Sequence, residues 1–359
     1  DRAYAIEVDS NNDVYVAGRA GPGFPTTLNQ IFVNQNIIEN LYGQQNAFIA
    51  KFNSGGKLLW STYYYTPTGE GLFRDIAIGR DGSVFGGIPK YGLVKFNPNG
   101  TPNWSYGFPV SGGRFTMGTP SVRVFQASDG LDYPYIVGGT NATRNQQSPA
   151  NIPNGFQPDI GSTVTLASGQ LAGDQYLAKI KPDGSGLVFA TYVGGADTEY
   201  SETHGLALDS QGNAYVGATT RSNNLSTKWA AITPAGYVGY DSSYNGSGAS
   251  GSGGGTNYSG DAFIAKISAN GSQLLGWTYL GGSVGEGTEG LSLDAQGNVY
   301  ISGSTYSTNF PVTAGAIKST LAGQADFFGA VFSNNLSQLR YGTYQGGSGV
   351  DFVRSSYVD

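Results

Sequence analysis

The stretch Ala262–Gly282, AFIAKISANGSQLLGWTYLGG, reads as two strands joined by a turn at Asn270-Gly271. Apolar residues alternate on the first side of the turn. Aromatic and β-branched residues crowd the second. Asn and Gly supply the positive φ angles of a tight hairpin turn. The unit returns at Ala47–Tyr63 (AFIAKFNSGGKLLWSTY), Tyr91–Tyr106 (YGLVKFNPNGTPNWSY), Tyr176–Gly195 (YLAKIKPDGSGLVFATYVGG) and Phe327–Gly347 (FFGAVFSNNLSQLRYGTYQGG). One detail resists alignment. Trp277 and Trp104 stand one place nearer their following Tyr than Trp60 does. A one-residue slip reverses the face of a strand, so either a bulge intervenes or the rings point differently.

Each hairpin is preceded by another. The copies are Ala5–Gly18, Asp75–Gly87, Val122–Gly139, Leu206–Ala218 and Leu291–Gly303. Their pattern is an apolar alternation ending in Asp, a polar turn, and a Val/Ala-Tyr-Val/Ile strand. One repeat is therefore four short strands, a to d. An array of four-stranded units is the signature of a β-propeller. The expected fold is all-β, a propeller of four-stranded blades with five repeats at approximately 1–74, 75–120, 121–204, 205–289 and 290–350. The five repeats are expected to form one domain over 1–359.

The last repeat carries Leu293-Asp294, Gly297-Asn298-Val299-Tyr300, Asn309-Phe310-Pro311 and Gly346-Gly347. It resembles the bacterial SBBP beta-propeller repeat family, with Val331 where that family has Lys. The resemblance covers essentially the whole chain; the second repeat is the most degraded, ending strand a in Gly79. What it implies is a secreted or cell-surface propeller, and no reaction.

The ends carry a further copy of strand a. Asp351–Asp359, DFVRSSYVD, lies in register with Asp1–Asp9, DRAYAIEVD. A five-bladed ring needs five such strands. Either the chain is a segment of a longer repeat array, or the sixth strand caps a terminal blade, or it is surplus and pairs with a neighbouring molecule. A spare strand and an open sheet edge are the two parts of strand addition. Repeated head to tail, such a contact builds a filament. The candidate assembly residues are Asp351, Phe352, Val353, Tyr357 and Val358 with Asp1, Tyr4, Ile6 and Val8.

Composition narrows the class. The chain has no Cys, which excludes disulfides and thiolate metal sites. Its net charge of −6, with no basic run, argues against a nucleic-acid surface. No apolar run is long enough to span a bilayer, so membrane insertion is not expected. Scarce Lys with abundant Asn, Ser, Thr, Gly and Tyr points to the cell exterior or surface.

Long linkers separate strands b and c, notably Thr219–Asp261 with Trp229, Tyr237 and Tyr240. In a propeller whose first strand is innermost, these linkers share a face with the d–a connections. Those connections carry Glu70, Asp197, Glu199, Glu286, Glu289 and Asp351. Carboxylates beside aromatics suit a polyhydroxylated ligand, and convergent oxygens suit a hard cation. Acids in turns also serve solubility and cap backbone donors, which is the plainer reading. Asp209 and Asp294 head Asp-x-x-Gly-Asn turns and are weak calcium candidates. They lack the ligand series of an EF-hand loop, and Asx-turn bonding accounts for them without metal. No other cofactor is expected. The single His, His204, follows Ser201 and Glu202, but adjacency in sequence is not a triad. The recurrent aromatics of strand d, among them Tyr63, Tyr192 and Tyr344, read as packing between blades.

The function expected is non-catalytic: an extracellular structural or adhesive module acting on itself, on surface proteins or on glycans. A carbohydrate- or calcium-binding module on the loop face is the alternative. A polysaccharide lyase or hydrolase ranks last.

Overall fold

The computed structural model describes residues 1–27, 45–65, 71–108, 118, 120–146, 154–166, 169, 171–200, 204–246 and 259–358. Glu70, Ser201, Glu202 and Asp359 lie outside the described residues.

Five antiparallel sheets follow one another along the chain, each built from consecutive strands. Blade 1 holds β1 (Arg2–Val8), β2 (Val14–Ala20), β3 (Asn46–Phe52) and β4 (Leu58–Tyr64). Blade 2 holds β5 (Asp75–Ile78), β6 (Val84–Ile88), β7 (Gly92–Phe96) and β8 (Pro102–Gly107). Blade 3 holds β9 (Ser121–Gln126), β10 (Asp132–Thr140), β11 (Asp174–Ile180) and β12 (Leu187–Val193). In blade 4 strand a is split into β13 (Glu199–Tyr200) and β14 (Leu206–Leu208), both paired with β15 (Ala214–Thr220). A short helix α1 (Leu225–Trp229), then β16 (Asp261–Ile267) and β17 (Leu274–Leu280), complete it. Blade 5 holds β18 (Glu286–Leu293), β19 (Val299–Thr305), β20 (Asp326–Phe332) and β21 (Leu339–Gln345). The first strands are neighbours in sequence order, β1 against β5, β5 against β9, β9 against β14 and β14 against β18.

The core lies between blades. Strand alternation sends successive residues to opposite faces, so each inner blade feeds two interfaces. Tyr135 and Val137 join the cluster with blade 4, while Ile136 between them joins the cluster with blade 2. Four such clusters join blades 1–2, 2–3, 3–4 and 4–5.

The turns refine the hairpin expectation. Gly271 has φ 76° and its N–H donates to Ser268 O, while Asn270 keeps a negative φ and caps Ser272 N–H through its side chain. This is a turn closed by a glycine bulge, not a turn with positive φ at both Asn and Gly. The register accordingly shifts at the same place in every c–d hairpin. Asn12 and Leu336 occupy the glycine position in two turns, each with φ 60°.

The tryptophan puzzle resolves in register. Trp60 and Trp104 both lie opposite the strand-c lysine, Lys51 and Lys95. Each indole N–H donates to a carbonyl in the next blade's turn, Pro98 O at 3.0 Å and Pro182 O at 3.2 Å. In blade 4 that slot opposite Lys266 is Gly276, and Trp277 one place on faces the other way. The Tyr237 ring fills the space over Gly276.

The strand-c lysine has a recurrent role. Its ammonium lies over the strand-b ring, 4.8 Å for Lys51 over Tyr15, 5.1 Å for Lys95 over Phe85 and 4.9 Å for Lys266 over Tyr215. It also meets the strand-a aspartate, Asp9 at 3.4 Å and Asp209 at 3.5 Å. Cation–π and ion pairing thus explain why Asp, Tyr and Lys recur together.

Candidate functional site

The b–c linkers and d–a connections do meet. Ala196 N–H donates to Asn224 Oδ1 and Asp197 N–H to Ser222 Oγ. One blade on, Ser283 N–H donates to Asn309 Oδ1. The expected ligand surface, however, is largely turned inward. Trp229 is fully buried: its ring lies 5.5 Å from Trp277, and its N–H donates to Gln157 Oε1 at 3.1 Å. Helix α1 carries it into the core between blades 3 and 4, so it is a packing residue and not a surface contact. Tyr237 is tied by its hydroxyl to Trp277 and Asn335, and Tyr240 lies over Phe332. Asp197 caps Thr198 N–H. Glu199, Glu286 and Glu289 are buried, not displayed.

The buried acids belong to a repeated arrangement. Asp174, Asp261 and Asp326 open strand c in blades 3, 4 and 5. Each faces an acid at the start of the next strand a: Glu199, Glu286 and Asp351. Between them sits the first glycine of the Gly-Gly pair that ends strand d. A Cβ on Gly194 would stand 2.3 Å from Glu199 Oε2 and 2.9 Å from Asp174 Oδ1. On Gly281 it would stand 2.4 Å from Asp261 Oδ1 and 2.6 Å from Glu286 Oε2, and on Gly346 2.6 Å from Asp326 Oδ1 and 2.9 Å from Asp351 Oδ2. Glycine is required there because any side chain would enter the carboxyl pair. Backbone amides approach one oxygen of each aspartate: Gly161 N at 2.6 Å, Asn245 N at 2.8 Å and Ala322 N at 3.0 Å. Thr220 and Thr305 hydroxyls hold Glu199 Oε1 and Glu286 Oε1.

Burial pushes the acids of the blade 3 and blade 4 pairs toward the protonated form. Asp261 is pushed up to about 7, first by desolvation and then, against the Asn245 amide, by the Glu286 charge. Glu286 rises by desolvation, and so do Asp174 and Glu199, the Glu199 carboxyl further raised by the Asp174 charge. The sequence reading missed the aspartates. The signal was available as a constant spacing, since 174 to 199, 261 to 286 and 326 to 351 are each 25 residues with Gly-Gly between.

A second charged group lines the first strands. Arg123 Nη1 lies 2.9 Å from Asp75 Oδ2, and His204 Nδ1 lies 3.6 Å from Asp75 Oδ1. Desolvation holds His204 below its usual range, opposed by the Asp75 charge. Burial raises the nearby Glu7 carboxyl. The ion pair of this group is Arg123 with Asp75, and burial favours the neutral forms of His204 and Glu7 beside it.

Asp209 and Asp294 cap their turns. Asp294 Oδ1 accepts Gln296 N–H and Asn298 N–H, and Oδ2 accepts the Asn298 amide. Asp209 does the same for Gln211 and Asn213 and also pairs with Lys266. Truncating Asp294 to Ala is expected to cost about 1–2 kcal/mol, as loss of a local cap does. Urea titration of the variant checks this, and an unchanged midpoint would count against it. Among the described residues no set of three or more His, Cys, Asp or Glu side chains converges on a metal position, and no helix is long and apolar enough to cross a membrane.

No curated protein matches this chain. Among solved structures, similarity extends to the Dos1 propeller, with TM-score 0.44 at 9% identity over 96% of this chain and 72% of that one. A protein of unknown function from Dyadobacter fermentans gives TM-score 0.44 at 12% identity, covering 96% and 84%. A gluconolactonase from Xanthomonas campestris gives TM-score 0.36 at 14% identity, covering 84% and 70%. Residues 188–226, which run from β12 through the split first strand and β15 into α1, match the SBBP family model, a beta-propeller repeat, so the chain carries a repeat of that family.

Proposed function

We propose that this chain is a non-catalytic β-propeller building block displayed outside the cell, which associates head to tail with copies of itself. One observation carries the reading. Ile6 on β1 is 67% exposed, whereas its counterparts Ile76, Leu206 and Leu291 are 0–1% exposed. In blades 2, 4 and 5 this residue packs on the preceding blade. Val8, on the same face, is 53% exposed. The first blade therefore presents the face that elsewhere in the chain seats one blade on another.

The other end supplies the matching part. Residues 351–358 form no sheet ladder, contrary to the expected strand, yet they lie where the first strand of a following blade belongs. Asp351 N–H donates to Ala325 O, as Glu286 N–H does to Gly260 O and Glu199 N–H to Gly173 O. Ser356 Oγ meets Ser302 Oγ at 2.8 Å, where Leu291 meets Gly217 one blade earlier. Arg354 reaches Glu289 at 3.8 Å. Tyr357, 84% exposed, points away from the chain. In the assembly blade 1 of a second copy closes over blade 5, β1 keeps its pairing with β2, and Ile6 and Val8 pack on the side of blade 5 beside this segment.

Electron microscopy and light scattering test this. Linear polymers are expected from residues 1–359, and single particles from the chain lacking 351–359 or carrying Ile6→Asp. Circular dichroism should stay unchanged in both variants. Single discs from the parent chain would overturn the reading, and polymers from the shortened chain would remove the strand from it.

A further inference from the structure

The three acid pairs are not equivalent, and the difference identifies a ligand. In blade 5 the positive charge is built in: Lys318 Nζ lies 2.9 Å from Asp326 Oδ2 and also donates to Gly346 O. In blade 3 it comes from helix α1. A Cβ on Gly161 would meet Lys228 Nζ, Gly195 O and Gly194 O, so the ammonium sits beside the Gly-Gly carbonyls. Its charge acts on Asp174, and the Asp174 and Glu199 charges act on it. At two of three positions, then, an ammonium shares the space of a carboxyl group and a Gly-Gly carbonyl.

Among the described residues the blade 4 pair has no such group. Asp261 feels the Asn245 and Gly246 amides and the charges of Glu286 and Asp241. Glu286 feels Ser307, Thr305 and the Gly282 amide. Asp261 and Glu286 are both 0% exposed, and Asp261 Oδ1 and Glu286 Oε2 have no hydrogen-bond partner; Asp174 Oδ1 and Asp326 Oδ1 have none either, so what sets blade 4 apart is the lack of a neighbouring ammonium among the described residues. Asp261 Oδ1 and Glu286 Oε2 face the same gap beside Gly281. Two buried carboxylates turned toward one point repel each other strongly unless a positive charge lies between them.

We propose that Asp261 and Glu286 bind a calcium ion, which does in blade 4 what Lys318 and Lys228 do in blades 5 and 3. Calcium accepts carboxylate and carbonyl oxygens at about 2.3–2.6 Å in flexible geometry. Asp261 Oδ1 and Glu286 Oε2 supply the charge. The carbonyls of Gly281 and Gly282, counterparts of those beside Lys228, complete the protein's share. With two carboxylates the site belongs to the weaker class of calcium sites. It also ties strand c of blade 4 to strand a of blade 5, so its occupancy stabilises that junction.

The test uses residues 1–359, stripped with EDTA and dialysed at pH 7.5, then titrated with calcium chloride. Equilibrium dialysis should give one ion per chain, and the melting temperature should rise by about 1–2 °C, the shift that roughly 1 kcal/mol produces in a domain of this length. Asp261→Asn should abolish both responses without lowering the metal-free melting temperature, because it also removes the repulsion. Asp209→Asn, which alters a turn cap, should retain them. An absence of binding and of any calcium-dependent melting shift would overturn the site; the pair would then hold a shared proton. Binding that survives Asp261→Asn would overturn it equally. None of these readouts depends on polymer formation.

Discussion

Trp229→Ala is expected to lower the unfolding free energy by about 3–5 kcal/mol, the usual cost of truncating a buried Trp to Ala. The residue is fully buried, with Trp277 and Phe263 at 5.5 and 6.1 Å between ring centroids. The loss is more than area. Gln157 accepts the indole N–H and donates its own amide to Asp174 Oδ2 at 3.0 Å. Removing the indole strands a buried Gln157 oxygen and loosens the linker that carries Gly161 to Asp174. Trp229→Phe keeps much of the volume and loses the hydrogen bond, so it should fall between parent and Ala. Urea unfolding followed by circular dichroism measures both. A change under about 1 kcal/mol for the alanine variant would contradict the burial of Trp229 between blades 3 and 4.

Acidification from pH 8 to pH 5 is expected to stabilise the metal-free protein, opposite to the common behaviour of proteins rich in paired carboxylates. Burial pushes Asp261 up to about 7 in the folded chain, above the ordinary aspartate value of 3.8, and Asp174, Glu199 and Glu286 are also raised. Between the unfolded and folded values the native state holds protons that the unfolded state has released. Stability is therefore greatest below the unfolded value and is lost as pH rises toward about 7. The slope is about 1.4 kcal/mol per pH unit for each proton so retained. His204 works the other way, because its neutral form is favoured by burial and the unfolded chain takes up the proton first. One His against two acid pairs leaves the net slope in favour of acid. Melting temperatures in EDTA across this range measure it, and Glu199→Gln should flatten the profile. A profile that is flat, or that falls toward acid, would contradict the assignment of retained protons to these pairs.

Much of the architecture was legible in particular residues. The Asn-Gly, Ser-Gly and Asp-Gly clusters marked the turns, and alternation marked the strands, because both depend on near neighbours in the chain. The Asp, Tyr and Lys of each repeat could be read as a pattern, but their reason became visible only when Lys51 was seen over Tyr15 and beside Asp9. The ligand face was misread for a physical reason. Glu199, Glu286 and Trp229 sit in polar stretches that look exposed. Contacts with the preceding blade help bury them, and burial by a partner many residues away leaves no local trace.

The amino-acid sequence by itself determined the repeat and the four-strand unit, since these follow from periodicity and turn chemistry. The tertiary structure decided which acids face each other across a glycine and that lysine serves two of three such pairs. It also decided that Ile6 lies bare while its counterparts are covered. Those facts depend on how blades stack, and stacking brings together side chains that no local pattern links.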